Sequence, residues 1–323
     1  MRVRRQRVER APQRQRRLSK PVISVGNLSM GGTGKTPVVA AIAEWLVAQG
    51  HRPSILSRGY ARATDVDGVV VVSDGHAIRS SIDRAGDEPM MLARQVRGAI
   101  VCVCAERYLA GVLAERELGA TVHLLDDGFQ HIELARNLDI LVTMIGEIPG
   151  GKVIPAGRLR EPMDAAARAH VLVVSDATAG AAASEAWALG ISQSCGALRT
   201  LGEPVPAFGT RHAASADRHP ATQSVLAVAG IAHPQRFFDA LKSAGHPVVD
   251  VMAFGDHHRY RPKDVAAIAA KMQASGASVV FTTDKDAVRF ESLELPFALS
   301  RVPLAVTFDP PEALFGSIAA VLA

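Results

Sequence analysis

Short apolar runs of strand length alternate with stretches whose apolar residues recur at helical spacing through the first half of the chain. Val22-Ile23-Ser24-Val25 is the first run, and others follow near 53–57, 69–72, 99–104, 121–125, 138–143 and 169–175. Between them, helical spacing predicts helices over 36–49, 89–97 and 106–118. In the first helix Val38, Val39, Ile42, Trp45 and Leu46 share one face, and Gly50 supplies a stop. Continuous apolar strands that alternate with helices predict a mainly parallel sheet covered on both faces. Ligands of such sheets gather at the carboxyl ends of the strands.

The pattern changes over 176–222, where "ATAGAAASEAW" and "GTRHAASADRHPATQ" are rich in Ala, Ser, Thr and Gly without clear periodicity. This reads as a connecting region with some short strands. Alternation resumes with a strand at 224–228, a helix near 234–244, a strand near 247–253, a helix near 263–274, a strand near 278–282 and a last helix near 311–322. The expected organisation is a basic arm over 1–20, an α/β domain over 21–175, the connecting region over 176–222 and a smaller α/β domain over 223–323. No internal repeat is visible.

With 323 residues, 48% of them apolar, the chain has material for two cores. Its net charge of +4 is unevenly placed. Residues 1–20 carry nine Arg and Lys against Glu9, a local net of +8 that leaves −4 for the rest. Such an arm suits an anionic membrane surface or a solvated tail, and nucleic acid less, because no aromatic residues interleave with the basic ones. No apolar run reaches the length of a membrane span and no signal peptide is visible, so the expectation is an intracellular protein. Three cysteines, Cys102, Cys104 and Cys195, lack metal-ligand spacing and read as core residues of a reducing compartment.

The chemistry begins where the first strand ends, at "GNLSMGGTGKTP", residues 26–37. Gly31, Gly32, Thr33 and Gly34 form a loop whose backbone N–H groups can converge on an anion, at the positive end of the helix that follows. Lys35 can then reach the outer phosphates and the Thr36 hydroxyl can hold Mg²⁺. Pro37 is harmless in a first turn. Ser29 stands where the usual pattern has a glycine, and the glycine spacing does not match a dinucleotide site.

Five further stretches carry candidate chemistry. "VHLLDDGFQH", 122–131, places Asp126 and Asp127 at a strand end, where a phosphate loop needs a carboxylate for its metal ion. "AGDEPMML", 85–92, offers Asp87, either as the helix N-cap or as a base that accepts a proton from an attacking hydroxyl. "RLREP", 158–162, offers Arg158 and Arg160 to neutralise phosphate charge, or an arginine paired with Glu161. "FGDHHRYRP", 254–262, clusters potential metal ligands on a loop. No contributor from elsewhere is evident to complete a zinc site, and a histidine that pairs with Asp87 across a domain cleft is more economical. "FTTDKDAVRF", 281–290, caps the same cleft or is a strand followed by a helix start.

The ordered set GNLSMGGTGKTP, SRGYAR, GDEP, DDGFQH, GRLREP, AGIAHPQRFF, DHHRY and TTDKDAVR resembles the tetraacyldisaccharide 4′-kinase family of lipid A biosynthesis, over roughly residues 21–323. The resemblance implies a P-loop nucleotide-binding α/β/α domain and a second, smaller α/β/α domain, with the site between them. It implies ATP-dependent phosphorylation of the 4′-hydroxyl of a tetraacylated disaccharide 1-phosphate. Asp87 would be the base, assisted by His257, with Lys35 and Arg160 at the transferring phosphate. The loop residues from Gly31 to Thr36, with Gln130 and His131, would surround ATP, and Thr36, Asp126, Asp127 and Glu161 would surround Mg²⁺. The family's setting is the cytoplasmic face of the inner membrane, with peripheral attachment to an anionic surface, and neither nucleic acid nor a protein partner is expected.

Two features depart from the family pattern: the basic arm replaces an apolar N-terminal helix, and AGIAHP replaces a sequence nearer AGIGNP. A second reading, a nucleotide-dependent switch of the membrane-partitioning ATPase or metallochaperone kind, shares the GKT loop. The partitioning type has a lysine before the glycine pair, where this chain has Met30, and a switch has no use for GDEP or DHHRY.

Overall fold

The computed structural model describes residues 15–59, 62, 64, 66–208 and 223–323. Residues 1–14 of the basic arm, Tyr60 and Ala61 of the SRGYAR motif and 209–222 of the connecting region lie outside the described residues. These divide into two compact units, one formed by the chain up to Arg199 with Val306–Ala323, the other by Thr200–Ala305.

The first unit is built on a nine-stranded sheet in the order β14-β8-β7-β6-β1-β5-β2-β4-β3 among the described residues. These are β1 (Val22–Gly26), β2 (Pro53–Ser57), β3 (Val70–Asp74), β4 (Ile100–Val103), β5 (Val122–Asp126), β6 (Leu138–Met144), β7 (Val171–Ser175), β8 (Gln193–Leu201) and β14 (Leu304–Asp309). From β4 through β8 the pairs are parallel, and β3 runs antiparallel to its neighbour β4. β1, β2, β5 and β7 are buried at every position, as continuous apolar runs in a doubly covered sheet must be.

Helices α1 (Lys35–Ala48), α2 (Ile82–Ala85), α3 (Asp87–Gln95) and α4 (Arg107–Leu118) fill the crossovers; α1, α3 and α4 lie close to the expected ranges, and the one-turn α2 is additional to them. Helix α1 packs on β1, β2 and β5, and α4 on β2 and β4. Cys102, Cys104 and Cys195 are buried and free, as core residues.

The stretch without periodicity contains α5 (Ala179–Leu189), which buries Ala182, Glu185, Ala186 and Leu189 and packs on β7. Six of its eleven residues are alanine, so intrinsic propensity rather than an amphipathic stripe carries it. It is followed by the nine-residue β8, longer than the short strands expected there.

The second unit has a five-stranded sheet in the order β11-β10-β12-β13-β9, with β9 (Val205–Pro206), β10 (Val225–Ala229), β11 (Val248–Ala253), β12 (Val279–Thr283) and β13 (Leu299–Val302). All its pairs are parallel except β13 with β9. Helices α6 (Pro234–Ser243), α7 (Pro262–Ser275) and α8 (Asp284–Phe290) accompany it.

The C-terminal stretch differs from the expected organisation. β14 joins the edge of the nine-stranded sheet beside β8, and the last helix, α9 (Pro311–Leu322), packs on β6 and β7 of the first unit. Leu314 and Ile318 are wholly buried there, and Phe315 stacks on Trp45 of α1 at 4.8 Å. Burial of this apolar stripe returns the chain to the first unit, which the order of elements along the sequence does not reveal. Among the described residues, no helix is long and apolar enough to cross a membrane.

Candidate active site

The parallel strands of the first unit bring several loops to one end of the sheet. β1 leads into the glycine-rich loop and β5 into Asp126 and Asp127. The helices that precede or follow β4 begin there with Asp87 and Arg107. Val25 pairs with Asp126 across β1 and β5, and the Gly128 amide donates to the Val25 carbonyl at 2.9 Å, so the two turns are joined by backbone.

The phosphate loop is held in shape from within. Gly31 and Gly34 have φ of 119° and 88°, a region open to glycine and strained for other residues, and Gly34 immediately precedes α1. Asn27 Nδ2 donates to Thr33 Oγ1 at 3.0 Å, and Ser175 Oγ, at the end of β7, donates to the Thr33 carbonyl at 2.7 Å. Ser29, in the position of the missing glycine, is buried and forms a bridge with Leu159. Arg160 N donates to the Leu28 carbonyl and Arg158 Nη2 to the Met30 carbonyl. The GRLREP segment therefore runs along the loop, and Arg158 supports its backbone.

Lys35 Nζ lies 3.5 Å from Asp127 Oδ1, and Arg160 Nη1 lies 2.8 Å from Asp127 Oδ2. Asp127 turns toward both cations through a left-handed backbone, φ 53°. Burial alone would raise its carboxyl, but the Lys35 ammonium and the Arg160 guanidinium outweigh burial and hold it below the usual carboxylate range. Asp126 is the opposite case. It is 4% exposed, and burial, followed by the carboxylates of Glu88 and Asp127, pushes it up to about 7 despite Lys35 and Arg107.

Gln130 Nε2 donates to the Asn27 carbonyl at 2.9 Å and to Glu161 Oε1 at 3.1 Å, tying the DDGFQH turn to the strand end before the phosphate loop. Glu161 is also gripped by Arg168, with Nη1 and Nη2 each 3.0 Å from a carboxylate oxygen, so both oxygens are engaged. Its arginine partner is Arg168 rather than the neighbouring Arg158 or Arg160. His131 lies in the same turn, its amide donating to the Gly128 carbonyl. Thr36 stands in the first turn of α1.

Asp87 is the first residue of α3, and the N-cap is Gly86, whose φ of 88° and ψ of 163° suit glycine. Asp87 is therefore not the cap, and this glycine sets the direction in which α3 leaves the preceding turn. Glu88 acts electrostatically on Asp126, which brings the start of α3 to the aspartate turn.

His257 belongs to the second unit, on the loop between β11 and α7, with φ of 57°. Its Nε2 lies 3.3 Å from Lys285 Nζ, and the same ammonium lies 3.4 Å from Asp256 Oδ1. His258 pairs instead with Asp264 at 3.1 Å and stacks on Phe254. The TTDKDAVR stretch is the end of β12 and the start of α8, with Thr283 as its N-cap. Within it Asp286, fully buried, accepts from the Gly230 amide, Thr283 Oγ1, Tyr260 Oη and Arg289 Nη1.

Glu88, Arg107, Arg168, Asn27 and Ser175 were not among the sequence candidates. Arg107 is a buried guanidinium whose charge acts on both Asp126 and Asp127, and burial and Arg58 lower its affinity for its proton. Its only sequence signal was a cation directly after a buried strand. Arg168 and Ser175 carry none.

The family model described as LpxK, tetraacyldisaccharide-1-P 4′-kinase, matches residues 1–323. A tetraacyldisaccharide 4′-kinase of Pelobacter propionicus is 41% identical over 302 residues, 92% of this chain and 82% of that protein. The enzyme of the same name from Desulfotalea psychrophila is 37% identical over 320 residues, 95% and 89% of the two chains. A crystal structure of LpxK from Aquifex aeolicus in complex with ATP superposes with a TM-score of 0.79 at 28% identity, covering 99% of this chain and 94% of that one.

Proposed function

The chain belongs to the tetraacyldisaccharide-1-P 4′-kinase family, and from that premise we propose how its own residues divide the work. The enzyme is an ATP-dependent kinase of lipid A biosynthesis, which transfers the γ-phosphate of ATP to the 4′-hydroxyl of tetraacyldisaccharide 1-phosphate.

The observation that carries the residue assignment is the convergence of Lys35 and Arg160 on Asp127, beside buried Asp126, at the mouth of the glycine-rich loop. In this reading the amides from Gly31 to Gly34 and the start of α1 bind the phosphates of ATP, and Lys35 reaches its outer phosphates. Arg160 offsets the charge that spreads over the transferring phosphoryl group. Gln130 and His131 border the nucleotide.

Asp87 accepts the proton of the sugar hydroxyl as that oxygen attacks phosphorus, and the bond from the γ-phosphorus to the β–γ bridging oxygen breaks, with ADP as leaving group. His257 assists Asp87.

The residues present suit Mg²⁺. Burial first, and then the carboxylates of Glu88 and Asp127, raise Asp126, and a divalent cation relieves the repulsion among these carboxylates. Among the described residues no three His, Cys, Asp or Glu side chains form a ready-made cage. Mg²⁺ is ordinarily held by one or two carboxylates, water and substrate phosphates. Asp126, Asp127 and the Thr36 hydroxyl would hold it, and when bound it supplies positive charge to the β- and γ-phosphates. We place Glu161 as the anchor of Gln130 rather than as a ligand, because Arg168 and Gln130 occupy its oxygens.

The enzyme works peripherally at the cytoplasmic face of the inner membrane, to whose anionic lipid the net charge of +8 over residues 1–20 is suited. Within the expected arm, Arg16 pairs with Glu106, and Ser19 and the Lys20 amide bond Glu115. The experiment that tests the assignment is transfer of labelled phosphate from ATP to tetraacyldisaccharide 1-phosphate in detergent micelles, with wild type beside Asp87→Asn. Loss of turnover with ATP affinity retained is expected. Unchanged turnover refutes Asp87 as the base.

A further inference from the structure

Among the described residues, five large apolar side chains that are at least a third exposed lie on the phosphate loop or on the 145–163 segment bonded to it. They are Met30, Ile145, Val153, Ile154 and Met163, with exposures from 36% at Val153 to 59% at Ile145. Every residue from Gly150 to Ala156, GGKVIPA, is exposed. Soluble surfaces scatter such side chains singly, whereas a concentration of them marks a contact surface.

The backbone under this patch is satisfied from within. Leu159 N donates to the Lys152 carbonyl, Ile154 N to the Leu159 carbonyl, Ala156 N to the Val153 carbonyl and Gly151 N to the Ile148 carbonyl, all at 2.9–3.0 Å. A tip of this kind can leave water without stranding those amides. Buried Leu159 pins its base, and the Met30 amide and carbonyl are both bonded to Arg158, so the tip is fixed to the phosphate loop. A shallow cavity of about 390 Å³ opens alongside, between Ile145, Arg158 and Leu159.

Charge decides what covers the patch. Between Glu147 and Glu161 the chain carries Lys152, Arg158 and Arg160 and no acidic residue. Glu147 itself turns its carboxylate onto the Met144 amide and the Thr143 hydroxyl. Asp164 lies beside Met163, away from the tip. At the tip itself Val153 and Ile154 have Lys152 and Arg158 as their charged neighbours in the chain, a combination that complements an anionic lipid surface, with the chains below and the headgroups at the rim. The kinase also has an acylated substrate, whose acceptor hydroxyl lies at the headgroup level.

We infer that the 145–163 loop is a membrane-contact surface: Val153 and Ile154 enter the lipid surface while Lys152 and Arg158 remain among anionic headgroups, which sets the phosphate loop beside the substrate's sugar. This rests on the assignment of an acylated lipid substrate.

The test uses the full chain. The three native cysteines are buried, so a nitrobenzoxadiazole dye can be placed at Ile154→Cys and, as a control, at exposed Glu117→Cys on α4. With phosphatidylcholine vesicles containing phosphatidylglycerol, the dye at 154 brightens and shifts to the blue, and the dye at 117 does not. Ile154→Asp lowers vesicle affinity roughly tenfold and leaves ATP affinity unchanged. A dye at 154 that stays in water while the protein binds vesicles overturns the inference, as does equal affinity of Ile154→Asp and wild type. So does a dimer that Ile154→Asp dissociates without any change in vesicle binding. The dye reads the loop and the phosphate-transfer assay reads the kinase assignment, so failure of one is distinguishable from failure of the other.

Discussion

Asp126 and Asp127 are consecutive residues held in opposite electrostatic states: burial with Glu88 and Asp127 raises Asp126 to about 7, while Lys35 and Arg160 keep Asp127 below the carboxylate range against the effect of burial. In the proposed assignment Asp126 holds Mg²⁺ as a carboxylate, so binding of Mg²⁺ with ATP at pH 7 should release about half a proton per site. Calorimetry in two buffers of different ionisation enthalpy measures this. Asp126→Asn should abolish the release, and a release that persists in that variant would remove Asp126 as its source.

The same asymmetry sets a pH dependence of stability. Asp126 is raised from 3.8, so its contribution is full below the unfolded value and is lost as pH rises through about 7. Asp127 is lowered, so its contribution is present above 3.8 and is lost as pH falls below that. Without metal, the urea midpoint of the wild type should therefore fall between pH 5 and pH 8 relative to that of Asp126→Asn. A parallel course of the two midpoints would show that Asp126 does not titrate there.

The parts of this site that share a local pattern were legible before the structure. Gly31 to Thr36 are consecutive, in a loop and the first turn of the helix after it, and Asp126 and Asp127 end an apolar run, so strand, glycine and charge announce them together. Their supports come from other segments. Glu161, gripped by Arg168 from the 3₁₀ turn Met163–Arg168 just after it, reaches Gln130 across 31 positions, and Ser175 reaches Thr33 across 142 positions of sequence. Neither contact leaves a periodic or motif signature. Helix α5 was invisible for a different reason, since a run of alanines has no polar face to mark its period. The return of β14 and α9 to the first unit is a matter of strand pairing, which a register of apolar runs does not specify.

Lys285 has only donors, so its 3.3 Å approach to His257 Nε2 favours the lone pair on that nitrogen and the proton on Nδ1. Lys285→Met should move the ring toward the Nε2–H tautomer, visible in its ¹⁵N shifts, and lower kcat about tenfold with KM for ATP unchanged. Lys285→Arg should restore part of both. An unaltered tautomer in Lys285→Met would show that the contact does not orient the ring, whereas intact turnover in His257→Ala would remove the histidine itself from catalysis.

Arg168 meets Glu161 through two hydrogen bonds and covers the Phe129 ring at 4.7 Å. With Glu161 only 4% exposed, Arg168→Ala leaves a buried carboxylate without its counter-charge, and a loss of about 3 kcal/mol is expected by urea denaturation. Arg168→Met with Glu161→Gln should recover much of it, because the buried charge is gone. Equal losses in the single and double variants would show that packing on Phe129, and not the ion pair, is what Arg168 provides.

Gly26 ends β1 where the DDGFQH turn crosses it. A Cβ placed there lies 2.6 Å from the Phe129 amide nitrogen and 2.7 Å from its Cβ. Phe129 is wholly buried, so it cannot swing aside, and the added methyl must push the aspartate turn away from the phosphate loop. Gly26→Ala should lower stability by about 1–3 kcal/mol. Its effect on turnover should be larger, on the order of 10²-fold, because Lys35 and Asp127 lose their common register. Gly180→Ala on α5, where a Cβ meets nothing within 4 Å, serves as the control and should stabilise slightly. Turnover in Gly26→Ala that falls no more than its folded fraction would mean that the spacing of the two turns does not limit phosphate transfer.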